Sequence, residues 1–312
     1  ATVFACGKPH FINHIMMSDD LGPEYAAVSC YNSLKIGGGS HTLNRLNLKE
    51  VALASNCSVD QYLNEALPKY VQLMAELMTA RIKFLVEESN FFNSDWLVKE
   101  ELISLDKFSA MFGIFGLAEA VNILMERAGE PGKYGHSAAS DDLGYLITSK
   151  VAELVAKIEM PYCEGNGGRA FMHSQSGIDL DLDVTAGTRI PIGTEPDLFH
   201  HLKTVSRHHH LFASGISDVL SFDETAVNNP QAVVDVIRGA FDAGMRDFTF
   251  NLDSNDFIRI TGYLVRKSDL AKMPDARHSS TKLGAGSVAG SFVDKRNLKR
   301  VMSHENAAGS NS

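Results

Sequence analysis

Cys30 occupies the position in this sequence that best suits chemistry at a thiol. It ends the apolar run AAVSC and directly precedes a polar, glycine-rich turn, so its thiol would lie at the mouth of a buried strand. The remaining cysteines are Cys6, Cys57 and Cys163, and no pair has the C-x-x-C spacing of a zinc site. So few cysteines in 312 residues indicate free thiols in a reducing compartment.

Gly262 is the second unusual residue, because it interrupts the segment FIRITGYLVRKSD. The pattern from Phe257 to Val265 predicts one strand with this glycine near its centre. Glycine inside a strand costs roughly 0.5–1 kcal/mol relative to alanine. Local reasoning offers a bulge or a close backbone contact as the explanation.

Other candidate sites carry weaker signals. The glycines at 37–39 lack the spacing of a phosphate-binding loop and predict a tight turn. Consecutive histidines cannot all point at one ion from a regular helix or strand, so we predict no metal site in the histidine-rich segment. That segment contains His200, His201, His208, His209 and His210. The alternating acidic run at 179–183 predicts a half-exposed strand.

The elements around these residues predict an α/β or α+β organisation. Short strands and loops fill residues 1–50, and residues 59–160 are mainly helical. Apolar spacing predicts one long helix over Ala110–Gly129 and another over about 141–158. Loops and strands follow, then a helix in NNPQAVVDVIRGAFDAGM and a strand in DFTFNLD.

Composition restricts the class of protein. The net charge of −9 and the pI near 5.7 argue against a nucleic-acid polymer or an acidic membrane as the main partner. No apolar run approaches the roughly 18 residues that cross a bilayer, and no signal peptide is evident. We therefore expect a cytoplasmic protein. The chain opens with the apolar stretch ATVFAC rather than Met, so we also expect it to be truncated.

Two segments together resemble the glycyl radical enzyme superfamily. RITGY, which contains Gly262, resembles the R-[VI]-x-G-[YFW] signature around the radical glycine. SCYNSLKIGGGSHTLNRLNLKEVA resembles the catalytic-cysteine segment of anaerobic (class III) ribonucleotide reductases. FGIFGLAEAVNIL, YGHSAASDDLG and PYCEGNGGR follow in that family's order, and KFLVEES, GTRIPIG and ITGYLV are most similar to the YjjI-type branch. The resemblance covers about residues 1–270.

The resemblance implies a fold. Members of the superfamily carry the glycine and the cysteine on opposed loops inside a ten-stranded α/β barrel built from two halves. On this basis residues 1–245 are the C-terminal part of such a barrel with the cysteine loop. Residues 246–275 are the glycyl radical segment, and residues 276–312 form a loosely ordered tail.

The resemblance also implies a reaction and its residues. Gly262 would store a radical installed by a radical S-adenosylmethionine activating enzyme, with no bound cofactor or metal. Cys30 would become the thiyl that takes hydrogen from a small polar substrate, and a homodimer is the usual assembly. The candidate pocket residues are Asn32, His41, Asn44, His136, Glu164 and His173.

Departures from known members leave alternatives open. The residue two after Cys30 is Asn32, where glycyl radical dehydratases have a glutamate. Ser29 precedes Cys30, where pyruvate formate-lyase has a second cysteine. No cysteine follows Gly262, so the C-terminal four-cysteine zinc site of anaerobic ribonucleotide reductases is missing. Cys163 is the rival thiyl candidate, since YCEGNGG also reads as a loop. An inactive or truncated homologue acting as a binding module is one alternative. An anaerobic ribonucleotide reductase-like enzyme without its zinc module is another.

Overall fold

The computed structural model describes residues 3–4, 7–28, 32–130, 132–174, 184–259 and 264–266. The strands are β1 (Phe11–Ile12), β2 (Tyr25–Val28), β3 (Asn32–Lys35), β4 (Gly39–Asn47), β5 (Phe108–Phe115), β6 (Ala170–Ser174), β7 (Asp218–Phe222), β8 (Asp247–Leu252), β9 (Phe257–Arg259) and β10 (Leu264–Arg266). The α-helices of four or more residues are α1 (His14–Leu21), α2 (Leu48–Ser55), α3 (Leu67–Lys83), α4 (Phe91–Ser94), α5 (Trp96–Lys99), α6 (Leu117–Ala128), α7 (Ala138–Lys157), α8 (Leu198–His209), α9 (Thr225–Asn228) and α10 (Pro230–Asp242). Single π-helical turns at Tyr62–Ala66 and Phe84–Glu88 flank α3.

A parallel sheet of β4, β5 and β6 is one half of the described fold. β5 lies in the centre and is buried along its whole length, which is typical of a parallel strand covered on both faces. Residues Leu43–Asn47 of β4 pair in order with Met111–Phe115 of β5. Helices α2, α3, α6 and α7 supply the apolar side chains that pack on one face of this sheet.

A second sheet has the order β1, β8, β7. β7 and β8 are parallel, and the short β1 pairs antiparallel with the other edge of β8. Phe248 and Phe250 on β8 contact Phe11 on β1, with ring centroids 5.9 and 5.3 Å apart. This aromatic contact packs β1, near the start of the chain, against β8.

Two antiparallel hairpins lie outside these sheets. β2 pairs with β3, with Val28 opposite Asn32, and β9 pairs with β10, with Arg259 opposite Leu264. The single strand predicted over 257–265 is therefore wrong, because the chain reverses between β9 and β10. Alternation within a short apolar run does not show whether the run continues or turns back.

The helix predicted over Ala110–Gly129 is wrong in its first half. Residues Phe108–Phe115 form β5, and α6 begins only at Leu117. Gly116 separates the two elements with φ of +76°, in the left-handed region that glycine tolerates. A continuous apolar run is compatible with a buried helix or a buried parallel strand, so its composition could not decide between them. The helices predicted near 141–158 and after Asn229 are confirmed as α7 and α10.

Gly116→Ala should destabilise the protein more than Gly129→Ala. Both glycines have left-handed φ, which costs a residue with a side chain about 1–2 kcal/mol. A methyl group on Gly116 would lie 2.7 Å from Val184 Cγ1, whereas one on Gly129 would meet no atom within 4 Å. Overpacking adds about 1–3 kcal/mol at Gly116 alone. Urea unfolding of both variants measures the difference, and equal losses would contradict the close contact with Val184.

None of the helices among the described residues is long and apolar enough to cross a membrane. The acidic run at 179–183 and the predicted tail at 276–312 lie outside the described residues. The turn predicted at 37–39 is present, with Gly37 at φ of +79°.

Candidate active site

The parallel sheet has two distinct faces. Along β5, Ala110, Phe112 and Ile114 point into the core beneath the helices, and on β6 Ala170 and Met172 do the same. Successive side chains of a strand point to opposite faces. The alternate residues of the three strands therefore form a second face, on the side of the sheet away from those helices.

The second face is mostly buried and contains polar groups. Arg45, Gly113 and His173 are directly opposite one another across the three strands, and Met111 is opposite Phe171 in a neighbouring row. Met111, Phe171 and His173 are at most 7% exposed. We define the second face by the residues Leu43, Arg45, Met111, Gly113, Phe115, Phe171 and His173.

Gly113 keeps the middle of the second face free of a side chain. A methyl group there would lie 2.9 Å from the carbonyl oxygen of Asn44 and 3.2 Å from Arg45 Cγ. The Arg45 guanidinium carbon lies 4.9 Å from the centroid of the Phe115 ring, as in a cation–π contact. The sequence reasoning did not identify Gly113, although a glycine inside a buried strand signals a close approach.

His173 is completely buried on this face, near the carboxyl end of β6. Neither of its ring nitrogens makes a hydrogen bond with a described residue. Burial lowers the pKa of His173 from 6.5 to about 4, and the nearby backbone carbonyl of Ser214, which does not reach hydrogen-bonding geometry with either ring nitrogen, partly opposes this shift. The imidazole is therefore uncharged at neutral pH.

The segment Ser214–Gly215 connects the end of β6 to the hairpin of β2 and β3. The Ser214 backbone NH donates to the carbonyl of Met172 (3.3 Å), and the NH of Ser174 donates to the carbonyl of Gly215 (2.9 Å). The Ser214 carbonyl in turn accepts from the NH of Ser33 in β3 (2.6 Å). His173 thus belongs to the part of β6 that this segment links to the β2–β3 hairpin.

Cys30 and Gly262 lie outside the described residues, but the strands on either side of each are described. Residues 29–31 connect Val28 and Asn32, which are opposite each other in the first hairpin. Residues 260–263 connect Arg259 and Leu264, which are opposite each other in the second. Each candidate radical residue therefore belongs to a short connection between two paired strands.

Comparison with known proteins now assigns the family. The family model described as "Glycyl radical enzyme YjjI-like" matches residues 1–299. This chain belongs to the YjjI-like glycyl radical enzyme family. It is 46% identical over 96% of its length to the "Uncharacterized protein YjjI" of Escherichia coli (strain K12). It is 40% identical over 94% of its length to an uncharacterized protein of Haemophilus influenzae (strain ATCC 51907 / DSM 11121 / KW20 / Rd). The chain spans 58% of the length of each of these relatives.

Solved structures share the fold of this YjjI-like chain. An anaerobic ribonucleotide reductase aligns with a TM-score of 0.65 at 15% identity, covering 84% of this chain and 48% of its own. A protein from a study of 1,2-propanediol dehydration in Roseburia inulinivorans gives 0.64 at 13% identity, covering 88% and 50%. A glycyl radical enzyme from Archaeoglobus fulgidus gives 0.63 at 10% identity, covering 86% and 48%. The chain therefore has the α/β fold of these proteins.

Two of the predicted pocket residues lie together at the amino ends of β4 and β6. His41 Nε2 donates to the carbonyl of Tyr162 (2.6 Å), and its ring centroid lies 4.9 Å from that of Phe108. Burial lowers the pKa of His41, an effect opposed by the Tyr162 carbonyl and by the carboxylate of Glu164. Glu164 is exposed in the turn before β6. This pair is at the opposite end of β6 from His173.

The other predicted pocket residues are dispersed. Asn44 accepts a hydrogen bond from Thr42 Oγ1 (2.6 Å). It lies on the helix-covered face of the sheet, because Leu46, two residues further along β4, points into the core on that face. His136 is exposed and donates to the carbonyl of Thr194 (2.6 Å). Asn32 begins β3, beside the connection that contains Cys30. Of the six residues, Asn32 and His173 therefore belong to the elements that Ser214 connects.

Cys163, the rival thiyl candidate, is a core thiol of this YjjI-like chain. It is fully buried and belongs to the cluster of apolar side chains beneath the helices. Burial, with a smaller contribution from Glu164, raises its pKa to about 12. Since the second face lies on the other side of the sheet, this placement favours a packing role.

The histidines of α8 point to different partners instead of a shared ion. His200 Nε2 lies 3.0 Å from Asp141, and His209 Nε2 lies 2.9 Å from Asp218. His208 contacts the Tyr134 hydroxyl (3.1 Å) and Thr148 Oγ1 (2.9 Å). No group of metal-binding side chains occurs among the described residues. These contacts join α8 to α7 and β7, which the sequence reasoning missed because each partner is distant along the chain.

The buried histidines predict a loss of stability in mild acid. Burial lowers the pKa of His201, lowers that of His173 to about 4 and lowers that of His208 to about 3. The unfolded chain binds these protons as the pH falls below about 6.5, whereas the folded chain does not. This contribution to stability is complete above about pH 6.5 and declines as the pH falls towards the folded-state values.

At about pH 5 the loss should be roughly 2 kcal/mol for each of His173 and His208. Urea unfolding between about pH 7.5 and 5 measures it. A free energy of unfolding that stays constant over this range would contradict the assignment.

Proposed function

We propose that the complete protein containing this chain is a glycyl radical enzyme that acts on a small polar molecule. The proposal places the stored radical on Gly262 and the thiyl on Cys30. The observation that carries it is the family match, which extends over residues 1–299 and so includes both hairpins. The same match supports a ten-stranded barrel of which this chain forms the C-terminal part.

Three hydrogen transfers describe the proposed chemistry. An activating enzyme of the radical S-adenosylmethionine class removes one hydrogen atom from Gly262 Cα, and the adjoining amide groups delocalise the unpaired electron. The thiol of Cys30 then gives its hydrogen atom to this Cα, which restores glycine and leaves a thiyl. The thiyl removes a hydrogen atom from a carbon of the substrate and becomes a thiol again. S–H and activated C–H bonds have similar strengths, so the transfer from the substrate to the thiyl is nearly balanced.

The protein contributes position and exclusion of solvent to this chemistry. The second face supplies a mostly buried, largely apolar wall. Ser214 links that wall to the hairpin of β2 and β3, and the connection between these two strands contains Cys30. We therefore place the substrate beside His173, near Asn32. His41, Glu164, Asn44 and His136 lie at other places and are less suited to this pocket.

Partners and assembly remain part of the proposal. It requires an activating enzyme and a small-molecule substrate, with no bound cofactor, and it includes a homodimer and a cytoplasmic location. The predicted boundaries after residues 245 and 275 stay predictions.

Anaerobic activation followed by electron paramagnetic resonance tests the proposal. The complete protein, treated with a radical S-adenosylmethionine activating enzyme, should give the doublet of a carbon radical coupled to one α-hydrogen. The alternative of an inactive binding module predicts no such signal. The alternative of a nucleotide reductase predicts that the complete protein binds nucleotides. The TM-scores of the three solved structures are nearly equal, so the fold comparison does not favour a reductase over the other two proteins.

A further inference from the structure

His173 combines complete burial with two unused hydrogen-bonding atoms. Buried side-chain nitrogens in folded proteins nearly always have a partner, because an unsatisfied polar group loses its hydration without compensation. His173 is 0% exposed, and neither Nδ1 nor Nε2 has a hydrogen-bond partner among the described residues. As it stands, this imidazole weakens the fold relative to an apolar side chain of similar shape.

His208 shows what the same fold does with a histidine that serves packing. It is also 0% exposed, yet one ring nitrogen contacts the hydroxyl of Tyr134 and the other contacts that of Thr148. The two histidines are therefore equally buried but differ in whether the surrounding protein satisfies them. Buried polar groups that lower stability and make no hydrogen bond within the protein are characteristic of functional sites.

We infer that His173 binds an uncharged hydroxyl or carbonyl oxygen of the substrate. The position of His173 in the fold supports this inference. His173 lies on the second face and follows Met172, whose carbonyl accepts a hydrogen bond from the NH of Ser214. The carbonyl of Ser214 in turn accepts a hydrogen bond from the NH of Ser33, in the hairpin whose connection contains Cys30. This inference rests on the proposed function and deepens it, since it assigns a ligand class to one residue of the proposed pocket.

The chemistry of the ring decides the ligand class. A neutral imidazole has one N–H donor and one acceptor nitrogen, which a hydroxyl group can match as acceptor or donor. The pKa of about 4 keeps the ring uncharged at neutral pH, so it offers no positive charge to a carboxylate or phosphate. A hydroxyl or carbonyl group therefore fits this position better than an anionic group.

Ligand-dependent thermal unfolding of the complete, unactivated protein tests the inference. The probes are 1,2-propanediol and glycerol at saturating concentration, with glycolate as the anionic comparison. Both neutral probes should raise the melting temperature of the unmodified protein more than glycolate does. His173→Phe should weaken their binding about tenfold, as expected for one lost hydrogen bond, and His173→Asn should retain part of it.

Stability without ligand separates this role from a structural one. His173→Phe should unfold at the same or a higher temperature than the unmodified protein, because it removes no protein hydrogen bond. His208→Phe is the matched control and should unfold at a lower temperature, because it removes the two hydrogen bonds that the ring makes with the hydroxyls of Tyr134 and Thr148.

Three results would overturn the inference: unchanged probe binding in His173→Phe, a melting temperature lowered as in His208→Phe, or no binding of either neutral probe by the unmodified protein. None of these measurements requires a radical. A missing paramagnetic signal would therefore count against the proposed function, whereas a failed binding test would count against the role of His173.

Discussion

Gly262→Ala should eliminate the radical signal that anaerobic activation generates in the unmodified protein. The glycyl radical is stabilised because the planar Cα shares its unpaired electron with both neighbouring amide groups. A methyl group at that position hinders the planar geometry and obstructs the approach of the activating enzyme. We expect complete loss of the doublet and of substrate turnover, measured by electron paramagnetic resonance on matched anaerobic samples.

Gly239→Ala is the matched control for this glycine substitution. Gly239 is exposed in α10, where a methyl group would meet no atom within 4 Å and where alanine favours helix. This variant should give the full signal. A doublet that survived Gly262→Ala would place the radical on another residue and refute the site assignment.

Cys30→Ala should separate storage of the radical from its use. The variant should still give the Gly262 doublet, since the activating enzyme acts on the glycine alone. In D₂O the thiol of the unmodified protein becomes S–D and returns deuterium to Gly262 Cα. Repeated transfers replace the coupled hydrogen, so the doublet collapses with time. Without the thiol this exchange stops, and the doublet should persist.

Cys163→Ala tests the rival cysteine in the same experiment. Because Cys163 packs in the core beneath the helices, its removal should cost stability and leave the exchange intact. Loss of exchange in Cys163→Ala, with exchange retained in Cys30→Ala, would reverse the assignment. This measurement needs no knowledge of the substrate.

Local patterns in the sequence predicted part of the fold correctly. The helices α7 and α10 follow from apolar spacing, although α7 begins at Ala138, a few residues before its predicted start near 141. Ser137 accepts from the NH of Ser140 at the start of α7, and Asn229 accepts from the NH of Ala232 at the start of α10. Helix capping and apolar spacing involve residues close together in the chain, so they can be recognised without knowledge of the rest of the fold.

Two predictions were wrong because they depended on distant pairing. Residues 110–116 are apolar throughout, and their conformation is determined by pairing with β4 and β6 on either side. Strands β9 and β10 pair antiparallel, although the alternation over 257–265 is compatible with one strand. In both cases the deciding hydrogen bonds come from partner strands that the local sequence does not reveal.

The sequence by itself determined which residues can carry out the proposed chemistry. Only glycine offers a Cα without a side chain, and only cysteine offers an S–H bond of suitable strength, so Gly262 and Cys30 follow from residue identity and the motifs around them. The tertiary structure decided what the other candidates do. It buried His173 without a partner, placed Asn44 on the opposite face, and left His136 at the surface. Strand register and burial set these environments, and both arise from contacts between residues far apart in the chain.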